Sequence, residues 1–102
     1  MQFSAELRDH VADGRITLSY RLWSRPKVKA GGVYRSHAVL IEVDEIELVP
    51  FSSITDDDLA QTGETDLEHL RARAAHAGPI DDDTLVYRVE FHVVGSSGDH
   101  PA

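Results

Sequence analysis

Residues 14–35 read GRITLSYRLWSRPKVKAGGVYR. From Arg15 to Trp23 the side chains alternate, with Ile16, Leu18, Tyr20 and Leu22 on one face of an extended chain and Arg15, Thr17, Ser19, Arg21 and Trp23 on the other. The period of two predicts a strand over about residues 15–22. Its oily face belongs in a core, while its hydroxyls, guanidinium groups and indole turn toward a hollow. A cationic loop follows, in which Pro26 forbids a continued central strand and Gly31-Gly32 marks a turn. Within it Arg25, Lys27 and Lys29 alternate with Pro26, Val28 and Ala30, so three cations can project one way, toward solvent or toward phosphate. Trp23, the chain's single tryptophan, stands between Arg21 and Arg25, where it can fill a core or stack on a base. The plain alternative for Arg21 is a cross-strand ion pair with an acid such as Glu90. We read this segment as the floor and rim of a binding pocket.

The flanking sequence supplies its support. Phe3, Leu7 and Val11 recur every four residues between a capping Ser4 and Gly14, which predicts a helix over 5–12. After the loop, residues 33–35 begin a second strand. Val39, Ile41 and Val43 alternate, the pattern slips at Asp44-Glu45, and it resumes at Ile46 and Leu48. Such a slip predicts a β-bulge in a strongly bent strand, as a small barrel requires. Thr55 before Asp56, Asp57 and Asp58 reads as a helix start. Thr65 to Glu68 reads as a capping box opening another helix, with Leu67, Leu70 and Ala74 on its buried stripe and Gly78-Pro79 as its end. The last strand, about 84–94, places Leu85, Tyr87, Val89, Phe91 and Val93 on one face and Val86, Arg88, Glu90, His92 and Val94 on the other. The pattern is that of an α+β chain: a small β-barrel with short flanking helices, one domain over 1–94, and a flexible tail over 95–102.

Composition narrows the function. The 102 residues include no cysteine, which removes disulfides, thiolate nucleophiles and cysteine-based zinc sites. No apolar run approaches the roughly 20 residues of a membrane span, and the charged N-terminus lacks a signal core, so a cytoplasmic protein with no membrane partner is expected. Contiguous aspartates on a helix do not converge on an ion, and His69 and His76 stand about 10 Å apart along their helix. No metal and no cofactor are expected. The net charge of −8 is uneven: residues 1–37 carry seven Arg/Lys against three Asp/Glu, and residues 38–102 carry three against fifteen. That distribution opposes indiscriminate binding to long duplexes but permits a local anion site.

The run G-R-I-T-L-S-Y-R at 14–21 resembles the ASCH domain, whose signature is Gly-x-Lys followed by an Arg five residues after the Lys. The likeness continues through Lys29-Ala30-Gly31-Gly32, through VDEIELVPFSSITDDDLAQTGETDLEHL, and into the strand V-Y-R-V-E-F, spanning about residues 3–94. The resemblance implies a PUA-like barrel and an RNA- or nucleotide-binding module. Some small members of that family remove an acyl group from modified cytidine, using a Lys, a Thr on the same strand and a Glu near the helical segment. Here the Lys position is Ile16, the Thr position is Ser19, the Arg is kept as Arg21, and the Glu position falls near Thr62-Gly63, with Glu64 one or two residues away. An isoleucine neither moves a proton nor stabilises an oxyanion, so that mechanism does not carry over intact. An enzyme reading rests on Ser19 and Glu64. The binding reading takes Thr17, Ser19, Arg21, Trp23, Arg25, Lys27, Lys29 and Tyr34 as ligand contacts. A third reading, an acidic protein-interaction domain, rests on the charge of the C-terminal half.

Overall fold

The computed structural model describes residues 3–75 and 78–96. Four antiparallel strands form one sheet in the order β1-β4-β3-β2: β1 Leu18–Arg21, β2 Val33–Ser36, β3 Val39–Pro50 and β4 Leu85–Ser96. The sheet curls into a half-barrel flanked by helices α1 Ala5–Ala12, α2 Asp56–Thr62 and α3 Leu67–Ala74, which is the α+β, PUA-like architecture expected. The curl has a local cause. Val43 faces Phe91 and Glu45 faces Glu90, so Asp44 is the extra residue of a bulge where the sequence pattern slips. A second irregularity between Leu40 and Ile41, which face Gly95 and Val93, puts an extra residue on β4.

β1 is shorter than the alternation predicted, because the amides of residues 15–17 bond elsewhere, although the Thr17 carbonyl still accepts from the Phe91 amide of β4. The Arg15 and Ile16 amides both donate to the His10 carbonyl, and the Thr17 amide donates to the Gln61 carbonyl. β4 extends to Ser96, two residues into the segment read as tail; residues 97–102, like His76, lie outside those described.

Three apolar clusters hold the layers together. On the face of β1 and β4 that carries Leu18, Tyr20 and Val86, the sheet packs on Phe51, Ile54, Leu70, Ala74 and Ile80. On the opposite face, α1 lays Leu7 and Val11, with Phe3 and Ile16, over Val39, Ile41 and Phe91. Farther along that face the cationic loop folds back and sets Val28 on Val43 and Val89, with Trp23, Tyr34, Ile46 and Tyr87 around it. Each fully buried side chain of this size contributes roughly 1.5–3 kcal/mol. Ile16 and Leu18 are both buried, but the alternation put them on one face and the structure does not: Ile16 precedes β1 and packs under α1, while Leu18 joins the cluster on the opposite face.

Of the three helix starts, α2 follows the cap chemistry, the Ser4 side chain makes no cap bond on α1, and the cap of α3 shifts by one residue. Thr55 accepts from the Asp58 amide while the Asp58 carboxylate accepts from the Thr55 amide, a reciprocal box. α3 is capped by Asp66, which accepts from the His69 amide, and not by Thr65. That moves Leu67 to the first helical position, where it is exposed, and leaves Leu70 and Ala74 as the buried stripe.

Candidate functional site

β1 is a sheet edge, and beside it lies a cavity of about 800 Å³ bounded by α1, α3, the turn after α2 and the start of the cationic loop. Alternation sends Ser19 and Arg21 to one side of β1, where they lie opposite Val89 and Tyr87 of β4, and both line the cavity. Arg21 Nε donates to Ser19 Oγ at 2.8 Å, and its guanidinium carbon sits 4.9 Å from the centre of the Phe3 ring. Burial pushes the Arg21 guanidinium down to about 10, since a charge removed from water disfavours its own protonated form. Glu90, the alternative partner, faces Leu18 and is taken by Arg88 Nη1 at 2.6 Å.

The opposite wall is built around Glu64. Gly63, at φ +80, ends α2 in the left-handed region, and the chain then turns Glu64 inward until its side chain is only 4% exposed. The Glu64 amide donates to Thr62 Oγ1, whose hydroxyl in turn donates to the Leu59 carbonyl. Arg73, on the same flank of α3 as Leu70, donates through Nε to Glu64 Oε1 at 2.5 Å and through its other nitrogens to Ser4 Oγ and Glu6 Oε1. Burial would lower the Arg73 guanidinium, but the bonds to Glu6 and Glu64 more than offset it and hold the group above its ordinary value. This fork joins α1, α3 and the turn after α2, and it explains why the Ser4 hydroxyl does not cap α1.

Among the described residues, the charged side chains lining the cavity are Arg8, Arg21, Lys27 and Arg73 against the single carboxylate of Glu64. A mainly cationic lining, in which Arg73 is already held by Glu64 and Glu6, thus sits in a chain of net charge −8. Trp23 stands at its rim, 6.0 Å from the Tyr87 ring and tilted by 37°.

Of the residues singled out in the sequence, Ser19, Arg21, Trp23, Lys27 and Glu64 meet in this cavity. Arg25 and Lys29 are exposed on the loop outside it. Tyr34 lies under the loop, its hydroxyl accepting from the Lys29 amide at 2.9 Å. A Cβ on Gly32 would meet the Tyr34 hydroxyl at 2.5 Å and its ring at 2.7 Å, so the tyrosine would have to shift. Thr17 lines a shallower hollow of about 300 Å³ with Asp44, Gln61, Glu90, Phe91 and His92. There the Asp44 carboxylate bonds His92 and holds its imidazole above the ordinary value. Ile16 is buried under α1 and does not line the main cavity.

Arg73, Arg8 and Phe3 were missed by sequence reasoning. The available signal for Arg73 was its spacing of three from Leu70, which puts both on one flank of a helix. Nothing local marks Arg8 or Phe3 as site residues, because α1 reaches the cavity only by packing. Among the described residues, no three His, Cys, Asp or Glu side chains are grouped to hold a metal ion, and no helix is long and apolar enough to cross a membrane.

No protein-family model matches the chain, and no curated protein matches it in sequence. Solved structures do match in fold. Protein EF3133 from Enterococcus faecalis V583, of the DUF984 family, superposes with a TM-score of 0.72 at 18% identity, over 95% of this chain and 75% of its own. An ASCH domain from Lactobacillus crispatus JV V101 gives 0.69 at 17% identity, over 88% and 71%. Hypothetical protein PH0355 gives 0.70 at 14%, over 92% and 96%. With the curled sheet, the helices around it and the cavity at the β1 edge, these likenesses establish that the chain has the fold of an ASCH-like domain.

Proposed function

We propose that the chain binds a nucleotide or a short single-stranded RNA in the cavity beside β1. The observation that carries this reading is that Arg8, Arg21 and Lys27 line a hollow of about 800 Å³ whose lining carboxylate, Glu64, is already held by Arg73; the size is ordinary for small-molecule sites. In this reading Arg21 and Lys27 meet a phosphate, Ser19 offers its hydroxyl proton, and Trp23 stacks on a base. Arg21 is well suited, since much of its desolvation has been incurred in folding and, at about 10, it keeps its charge near neutral pH. Trp23, as the chain's single tryptophan, reports binding by fluorescence. Titration with nucleoside monophosphates and short RNAs is expected to quench it, with an affinity that falls steeply with salt. Arg21→Ala should weaken binding by about tenfold to a hundredfold, the loss expected for one charge-assisted contact. Unchanged affinity in a folded Arg21→Ala protein overturns the assignment.

One observation favours a second reading, an acyl-cytidine amidohydrolase with an altered site: Ser19 and Glu64 line the same cavity. Against it, Ser19 accepts a bond from a guanidinium and Glu64 is held by Arg73, so neither has a base poised to activate it. Incubation with acylated cytidine decides. Turnover that disappears in Glu64→Ala would put this reading first.

A further inference from the structure

We infer that two copies of this chain pair through the uncovered end of the sheet face that carries Trp23. On that face β4 presents Val89, Tyr87 and Leu85 directly opposite Ile46, Leu48 and Pro50 of β3. α1 covers the Phe91 end, and Val28 of the cationic loop covers Val89. Beyond the loop the strip lies open, with Leu48 48% exposed and Leu85 51% exposed. Large aliphatic side chains left exposed side by side on a sheet face mark a contact surface.

The charges at its two ends identify the occupant. At one end stand Arg25, Lys27 and Lys29, all exposed on the loop over Val89. At the other end, about 13 Å along β4 at the usual strand rise, the turn of Asp81, Asp82 and Asp83 leads into Leu85; all three are exposed, and Asp82 is paired with Arg71, which leaves Asp81 and Asp83 to meet a second copy. A two-fold axis lying in the contact plane and running across the strip reverses it end for end. The loop of one copy then meets the acidic turn of the other, twice, around a shared apolar centre. A nucleic acid strand would meet carboxylates at the Leu85 end, and an unrelated protein would need the same charges in the same order. A second copy carries them by construction.

The test is the mass of the full chain by sedimentation equilibrium from about 1 to 500 μM, a range that brackets weak dimers. The wild type is expected to rise from 11.3 kDa toward twice that value. Leu48→Glu with Leu85→Glu, both exposed positions, should remain monomeric while keeping the wild-type circular dichroism. Arg25→Glu with Lys29→Glu should weaken pairing by about tenfold or more, and adding Asp81→Lys with Asp83→Lys should restore it. A wild type that stays at monomer mass overturns the inference, as does a dimer that survives the two glutamates or a charge reversal without rescue. Loss of short-RNA binding in the Leu48/Leu85 variant of a monomeric wild type would instead assign the strip to nucleic acid.

Discussion

Replacing Arg73 with methionine isolates the fork that braces the cavity. Glu64 has a side chain only 4% exposed and receives Arg73 Nε at 2.5 Å, so the substitution leaves a buried carboxylate without that partner. Breaking such a pair costs roughly 3–5 kcal/mol. The arm to Glu6, whose side chain is 69% exposed, adds less than about 1 kcal/mol because water screens it. With about 4–8 °C per kcal/mol for a domain of this size, a loss near the lower bound of about 3 kcal/mol lowers Tm by about 12–24 °C. Methionine retains most of the apolar stem, so the deficit reports the charge and not a cavity. Urea melts of the wild type, Arg73→Met, Glu64→Gln and the double variant complete a cycle. The double variant should recover about 1–3 kcal/mol relative to Arg73→Met, since no charge is left stranded. A cost below about 1 kcal/mol for Arg73→Met, or a coupling near zero, would refute the view that Glu64 is a buried carboxylate held by this arginine.

Two more outcomes follow from the geometry. At Gly63 the φ of +80 and an added Cβ 2.5 Å from Ile16 Cδ1 and 3.3 Å from Leu7 Cδ2 make Gly63→Ala a strained overpacking, expected to cost about 2–4 kcal/mol in urea melts; a cost under about 1 kcal/mol contradicts it. Asp58 is partly desolvated, which alone would raise its carboxyl, but bonds from Arg88 and Thr55 outweigh this and hold it below its ordinary 3.8. Its contribution is therefore present above about pH 3.8 and is lost as the pH falls through the lower folded value. Asp58→Asn should flatten the acid side of the stability–pH curve, and an unchanged slope would show that neither the Arg88 nor the Thr55 contact holds the Asp58 carboxyl down.

Much of the architecture is legible in residue order because local chemistry fixes it. Thr55 with Asp58 closes a box across three residues, and Gly63 is a glycine at a position that needs a left-handed backbone. The slip at Asp44 announces the bulge, since a period of two cannot absorb an extra residue unnoticed. The boundary errors arise where distant groups compete. β1 starts three residues late because His10 and Gln61 take the amides of residues 15–17, and the cap of α3 moves from Thr65 to Asp66.

The site divides in the same way. Ser19 and Arg21 share a face by alternation alone, and Trp23 and Lys27 follow within a few residues, so one wall of the cavity was written in a single segment. Thr17 was placed on the same face by the alternation yet faces a different hollow, because β1 begins only at Leu18 and the Gln61 carbonyl of α2 takes the Thr17 amide. The other wall needed the fold. Glu64 is 45 positions from Ser19, and Arg73 reaches Ser4 across 69, distances in sequence that no periodicity encodes. Sequence by itself determined which side chains point together along each strand and helix, since backbone geometry repeats over two or 3.6 residues. Only tertiary packing decided that a cationic edge strand would face a buried carboxylate across a hollow, because that juxtaposition depends on how α1, α3 and the curled sheet bury their apolar faces.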